Sequence, residues 1–309
     1  MKSKIYSLLI VLGVYAVAAA GAIVFAWLLK PYFYDPNHIQ SLNYKGLSPF
    51  FGGLLLILAA DIVATLIVFF FSLIFKNASV YDPYWSVAPP LIVAGFYLVT
   101  GAIFNPLHLF ILIPLAFWAV RLTYNWCREF KNLKWQDWRY TRYKESFPKI
   151  YILINLTGIM LMPTLLVFAG TIPLYYLLLG KPDAAALIVG SAVVLFAAVY
   201  QAVADCQMRK FRKHPDNAGK CIDNGLWRYS RHPNYFGEIA IWFGVFIAAL
   251  PNFGWLSPIG CLTILLLFVF ISVPLMEGKM LKKHPRYREY QKKVRSALIP
   301  FWRAKTDGK

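Results

Sequence analysis

The sequence predicts an all-α integral membrane protein, a multispan bundle of about eight transmembrane helices with both termini in the cytoplasm. Three observations predict it. Of 309 residues, 59% are hydrophobic and only 15% charged, far more apolar than a soluble globular chain. The apolar residues come in long runs, each close to the roughly 20 residues that cross a hydrocarbon core of about 30 Å as a helix. The positive charge is gathered on alternate connections between those runs.

In chain order the runs are 7–29, 50–75, 86–104, 107–127, 150–180, 184–204, 236–250 and 255–276. The second carries one charge, Asp61, and the fourth carries Arg121; the fifth is interrupted by Pro163 and Pro173. The first follows Lys2 and Lys4 and contains "AVAAAGA", which resembles a signal-peptide cleavage site. It stays apolar to Leu29, longer than a signal core, so a retained anchor is favoured. The loop "KPYFYDPNHIQSLNYKGLSP" (30–49) is aromatic and turn-rich and is expected at the bilayer interface. Residues 1–49 are read as an extra helix with its external loop, and 50–309 as one membrane domain.

The net charge of +18 is topological in origin. All lysines and arginines except Lys30, Lys45, Lys181 and Arg121 fall at the N-terminus, after Phe75, in 128–149, in 209–231 or after Glu277. Eight spans put these segments on the cytoplasmic side, in contact with lipid headgroups. No base-reading module is present, so nucleic acid is not an expected partner. Cys127, Cys206, Cys221 and Cys261 lack metal-ligand or disulfide-framework spacing and are read as free thiols.

Three polar blocks face the cytoplasm on this reading: 127–149, 205–238 and 277–302. In the last, Leu281, Tyr287, Tyr290 and Val294 recur at helical spacing among bases, as in a surface-lying amphipathic helix. In "YDPYW", Asp82 stands beside Tyr81, Tyr84 and Trp85. It is either the cap of the next helix or a carboxylic acid whose pKa is raised by burial. Arg121 either neutralises Asp61 or Asp82 or has a functional role. Asp205 and Arg212 lie seven residues apart on one helix face. Arg128, Arg139, Arg212, Arg228 and Arg231 have the chemistry to clamp phosphates by bidentate bonds. Headgroup binding is the plainer alternative for all of them. In "RHPNYFGE", Asn234 and Glu238 share a helix face and Gly237 would let a flat ring approach the backbone. His232 lacks a companion ligand at metal spacing, so no metal is expected. Trp227 and Tyr229 are read as packing or interface aromatics. No Rossmann, Walker or HExxH motif occurs, so any dinucleotide would occupy a non-standard site.

The motifs "GLWRYSRHPNYFGE", "DCQMRKF", "VYDPYWS", "RLTYNW", "WQDWRY" and "YREYQKKVRSALIPF" together resemble the DUF1295 branch of the steroid 5-alpha-reductase-like membrane family, over about 79–302. The shorter RHPxY pattern is shared with isoprenylcysteine carboxyl methyltransferases, which use S-adenosylmethionine. The resemblance implies a seven-helix reductase core, with the first helix additional, binding NADPH from the cytoplasm and a hydrophobic enone from the bilayer. It carries cofactor contacts onto Asp205, Arg212, Asn234, Glu238 and Arg128, and a catalytic carboxylate onto Asp82, seven residues before Pro89. The animal enzymes have glutamate there and tyrosine where Trp118 stands, which puts steroid recognition in question; Gln201 takes a hydrogen-bonding position in the sixth span.

The expected activity is therefore NADPH-dependent reduction of a conjugated C=C bond in a 3-oxo steroid-like or other lipid enone, at a bacterial inner (cytoplasmic) membrane. Asp82, helped by Tyr84 or Tyr124, would polarise the carbonyl oxygen. Arg128, Arg139, Arg212, Arg228 and Arg231, with Asp205, His232 and Tyr235 nearby, would hold the cofactor's phosphates, and Asn234 and Glu238 its ribose and nicotinamide. The alternatives are an S-adenosylmethionine-dependent lipid methyltransferase and a non-catalytic lipid-binding protein. Oligomeric state is not legible.

Overall fold

The computed structural model describes residues 2–33, 49–284 and 286–300. It is all-helical among these residues, so the expected fold class holds. The interfacial loop expected at 30–49 lies mostly outside the described residues, at 34–48. Among the described residues, seven helices are long and apolar enough to cross a membrane, and the chain is an integral membrane protein. The eighth expected span is the helix Tyr84–Thr100, whose 17 residues reach about 26 Å, just short of a full hydrocarbon thickness.

The chain divides into two compact units, the first made of 1–106 and 118–182 and the second of 107–117 and 183–309. In the first, α1 (Lys2–Phe33) packs along α2 (Pro49–Phe75). Only a stripe of α1 is buried, Ser7, Val11, Val14 and Ala18 at helical spacing, while Leu9, Leu12, Val17 and Trp27 stay exposed on its other faces, as suits lipid. Helix α3 (Tyr84–Thr100) packs on α2 and on the later part of α6. Helix α4 (Leu109–Glu129), which belongs to this unit from Trp118 onward, and the short α5 (Trp138–Ser146) precede α6, which runs from Tyr151–Ile154 through a π-helical segment, Asn155–Leu161, to Met162–Leu179.

The interruption expected at Pro163 thus becomes a widened turn rather than a break. Pro163 has no N–H to donate and its ring crowds the preceding turn. The ladder shifts by one residue, with Met162 N–H bonding the Thr157 carbonyl five residues back. The same device recurs in α9 of the second unit (Ser257–Leu267, π segment Phe268–Ser272, Val273–Lys283). There Val273 N–H bonds the Phe268 carbonyl just before Pro274.

In the second unit, α7 (Ala184–Lys213) and α8 (Pro233–Ala249) form the closest helix pair, and glycines permit it. A Cβ on Gly190 would lie 2.6 Å from the Ala248 backbone nitrogen, and one on Gly237 would lie 2.8 Å from Gln201 Cβ. Small residues drive such contacts between membrane helices, because backbones can approach until dispersion and polar bonds act. The expectation that Gly237 leaves room for a ligand ring is therefore corrected: that space is filled by α7.

The short α10 (Tyr287–Lys293) also departs from expectation. Tyr287, Tyr290 and Val294 are buried in a small protein core with Cys221 and Met280, so this apolar face turns inward rather than onto the bilayer. Leu281 alone of that set is exposed, at 36%.

Candidate functional site

In the first unit the sequence "NASVYDPYW" folds as a 3₁₀ turn, Ala78–Tyr81, leading through Asp82 and Pro83 into α3. Asn77 caps the turn by accepting from the Ser79 N–H at 2.8 Å. Its amide nitrogen donates to the carbonyls of Leu133 and Trp135, both at 2.8 Å. Gln136 Oε1 accepts from the Ala78 N–H at 3.0 Å, and Ser79 Oγ accepts from the Asp137 N–H at 2.8 Å. The loop before α5 is thereby clamped to the loop before α3.

That clamp brings Tyr140 to Asp82: the phenol donates to Asp82 Oδ1 at 2.5 Å across 58 positions of sequence. Asp82 is not the cap of α3, because the N-cap is Pro83, which has no side-chain cap bond. Asp82 takes a right-handed helical backbone (φ −51°, ψ −40°) although a proline follows. Loss of surrounding water pushes its carboxyl up to about 6, against the opposing pull of the Arg139 charge and the Tyr140 hydroxyl. Arg139 pairs with Asp137 at 2.8 Å, lies 5.4 Å from the Tyr140 ring centroid and keeps 42% of its side chain exposed.

The phenol partners expected for Asp82 are elsewhere. The Tyr84 hydroxyl donates to the Asp61 carboxylate and approaches the Asp61 backbone carbonyl at 3.0 Å. Asp61 is buried and its second oxygen, Oδ2, has no hydrogen-bond partner among the described residues. Tyr84, rather than Arg121, is thus the group that Asp61 meets. Around this pair, Tyr81 stacks on Tyr84 with centroids 4.8 Å apart, and its hydroxyl meets Thr164 Oγ1 at 2.7 Å. Thr164 also meets Thr65 at 2.7 Å, which joins α2, the 3₁₀ turn and α6 through one hydroxyl. Tyr124 is 58% exposed and carries the Arg128 guanidinium at 5.5 Å from its ring centroid. Trp118 is fully buried.

The second unit holds the other expected residues. Three contacts arrive on one stretch of α7. Gln201 donates to Glu238 Oε2 at 2.9 Å, Trp227 Nε1 donates to the Ala204 carbonyl at 3.1 Å, and Gln207 Oε1 accepts from the Leu226 N–H at 2.9 Å. Asp205 lies on that stretch, and Arg212 on the same helix two turns on. Gly225 has φ +57°, a left-handed backbone natural to glycine, which turns the chain into the 3₁₀ segment Gly225–Arg228. Glu238 is buried, with its other oxygen accepting from Trp242 Nε1 at 3.1 Å. Asn234 lies in the first turn of α8. Arg212 and Arg228 are exposed, the latter 5.9 Å from the Tyr229 ring centroid.

Arg231 does not fit a phosphate clamp. Its side chain is 11% exposed, its Nε donates to Glu277 Oε1 at 2.6 Å, and Nη1 donates to the Val294 and Arg295 carbonyls at 2.7 and 2.6 Å. His232 is also committed. Its Nε2 lies 3.2 Å from the same Glu277 oxygen, and its ring stacks on Tyr235, which also packs against Phe268. Gln291 donates to Glu277 Oε2 at 2.8 Å. The cluster staples the 230–232 segment to 294–297, where Arg231 and His232 N–H groups meet the Ser296 and Ala297 carbonyls at 3.0 Å. Sequence reading missed Tyr140 as the partner of Asp82 and Glu277 as the partner of Arg231. Both bonds are long-range, and local pattern carries no signal for them.

Two groups of expected residues therefore emerge within separate units. Asp82, Tyr84, Tyr124, Arg128 and Arg139 belong to the first, and Asp205, Arg212, Arg228, Arg231, His232, Asn234, Tyr235 and Glu238 to the second. No solved structure matches the chain. It is 28% identical to an uncharacterized protein of Schizosaccharomyces pombe, over 86% of this chain and 87% of that one. Residues 68–294 match the family model described as "Protein of unknown function (DUF1295)", and the chain belongs to that family.

Proposed function

We propose that this protein is an NADPH-dependent membrane reductase of the conjugated C=C bond in a hydrophobic enone, a 3-oxo-Δ4 steroid or another lipid. The observation that carries the reading is the Asp82–Tyr140 pair, a carboxyl and a phenol 2.5 Å apart on a doubly clamped loop at the head of α3. A carboxyl with a pKa near 6 stands close to working pH, where general-acid efficiency is greatest. Such a pair can donate to a carbonyl oxygen and stabilise negative charge that develops there. Asp61 Oδ2, buried and without a partner beside Tyr84, offers the substrate a second hydrogen-bonding position.

The likeness of the motifs to steroid 5-alpha-reductase-like enzymes supports the cofactor assignment. NADPH, when bound, supplies the hydride for the β-carbon; the proton for the α-carbon comes from the protein or water. Exposed Arg212 and Arg228 have guanidinium groups available for phosphates, and Asn234 has amide bonds to offer a ribose or carboxamide. Buried Glu238, held by Gln201 and Trp242, orients the first turns of α8. Arg231, His232 and Tyr235 support the loop rather than touch the cofactor. The lysine- and arginine-rich connections support a cytoplasmic position for these residues.

Purified protein in detergent is expected to consume NADPH when offered hydrophobic enones. Asp82→Asn should lower kcat by roughly 10²–10⁴-fold while NADPH still raises the unfolding temperature. Arg212→Ala should raise the KM for NADPH with kcat little changed. A thermal shift with S-adenosylmethionine and none with NADPH would replace this reading with a methyltransferase; no shift with either would leave a lipid-binding protein.

A further inference from the structure

The first unit contains a cavity of about 130 Å³, open on one side and large enough for more than one water, that the proposed reaction does not use. It is lined by Ser72, Lys76, Asn77, Lys144, Tyr151 and Asn155 among others. We infer that this cavity binds the headgroup of an anionic glycerophospholipid, one whose phosphodiester carries a hydroxyl-bearing group such as glycerol.

Three features of the cavity point to that chemistry. The first is an orphaned acceptor. Asn155 opens the π segment of α6, is 2% exposed and donates from Nδ2 to Ser72 Oγ at 3.1 Å. Ser72 has one proton, and it goes to the Phe69 carbonyl at 2.7 Å. Ser72 Oγ must therefore accept from the amide, which sets the orientation of Asn155 and leaves Oδ1 buried without a donor among the described residues. A ligand hydroxyl or N–H would satisfy it.

The second feature is the residue that closes α2. Lys76 has φ +51° and is the one described non-glycine residue with positive φ. Its N–H bonds the Leu73 carbonyl at 3.2 Å and the Asn77 N–H bonds the Ser72 carbonyl at 2.9 Å. These are the two bonds of a Schellman cap, whose left-handed position is usually glycine. A lysine there sacrifices backbone ease and sets an exposed ammonium at the rim of the cavity. Lys144 supplies a second exposed ammonium to the same lining, and neither lysine has an acidic partner among the described residues. Two unpaired cations call for an anion and disfavour a headgroup with its own ammonium, so a hydroxyl is the better match for Asn155 Oδ1.

The third feature is the surround. Ile74 on α2 is 54% exposed, and Ile152 and Leu153 on α6 are 63% and 58% exposed, apolar surface suited to acyl chains next to a cavity whose rim carries two lysines. This favours a lipid over a soluble phosphate.

The inference is independent of the reductase reading, and its test needs no activity. Native mass spectrometry of the full-length protein, titrated with phosphatidylglycerol or phosphatidylcholine, measures lipid retention directly. Choline offers the same phosphodiester without a donor. Phosphatidylglycerol is expected to bind about tenfold more tightly than phosphatidylcholine. Asn155→Leu should abolish most of that preference. Lys76→Gly, which suits the left-handed turn and should leave the unfolding temperature unchanged or higher, should weaken phosphatidylglycerol binding severalfold. If Asn155→Leu fails to fold, Lys76→Gly with Lys144→Gln decides the matter. Equal retention of the two lipids by the wild type, or full preference in these variants, overturns the inference. Displacement of phosphatidylglycerol by soluble glycerol 3-phosphate overturns the lipid assignment in favour of a soluble phosphate.

Discussion

At the scale of single residues, the chemistry depends on which polar groups meet inside an apolar chain. Asp82 finds Tyr140, Asp61 finds Tyr84, and Glu277 gathers Arg231, His232 and Gln291. The first of these pairs has a pH consequence. Burial raises the folded Asp82 pKa from 3.8 to about 6, so between those values the folded carboxyl keeps a proton that the unfolded chain releases. The contribution of this group to stability is present at low pH and is lost as pH rises through about 6. Asp82→Asn, which cannot ionise, should therefore gain thermal stability relative to wild type as pH is raised from about 4 to about 7. Unfolding midpoints of the two proteins in detergent across that range check it, and a gap that ignores pH would mean the carboxyl titrates normally. "YDPYW" made Asp82 visible as a candidate, and "WQDWRY" contains Tyr140. That the two bond could not be read, because nothing local links positions 58 apart.

Helices were legible where composition alone decides them, and less so where packing does. The apolar runs predicted the long helices, and Pro163 marked a real disturbance in α6, although a π turn absorbs it rather than a break. The glycines of α7 and α8 were misread in one respect: Gly237 serves helix contact. Gly190 is the tightest point, since a Cβ there would meet the Ala248 and Gly244 backbones at 2.6 Å and neither can yield as a side-chain tip would. Gly190→Ala is accordingly expected to cost about 1–3 kcal/mol by overpacking. Gly13→Ala, where nothing lies within 4 Å, should be neutral or stabilising by up to about 1 kcal/mol. Thermal unfolding of the two variants in one detergent compares them; equal midpoints would deny the close α7–α8 contact its importance.

For the whole molecule, the distribution of charge makes a prediction about orientation. Helix α7 has 30 residues, about 45 Å, and runs from an acidic cap at Asp183 to a basic end at Arg212 and Lys213. The positive-inside rule predicts a cytoplasmic position for the Lys213 end. With the four native cysteines replaced, Lys213→Cys should react with an impermeant thiol reagent only in inverted vesicles, and Ala184→Cys only in right-side-out ones. The reverse pattern would move the proposed cofactor residues to the other face. The sequence by itself determined that this is a helical membrane protein, roughly where its spans lie, and which segments carry polar chemistry. It could do so because hydrophobicity, charge asymmetry and proline placement are local properties that a bilayer reads directly. Only the tertiary structure decided that Arg231 is bound to Glu277 rather than available, that Tyr140 and not Tyr84 serves Asp82, and that Asn155 is left with an empty acceptor. Those outcomes follow from long-range hydrogen bonds, whose partners are selected when buried polar groups must be satisfied by whatever the fold brings within reach.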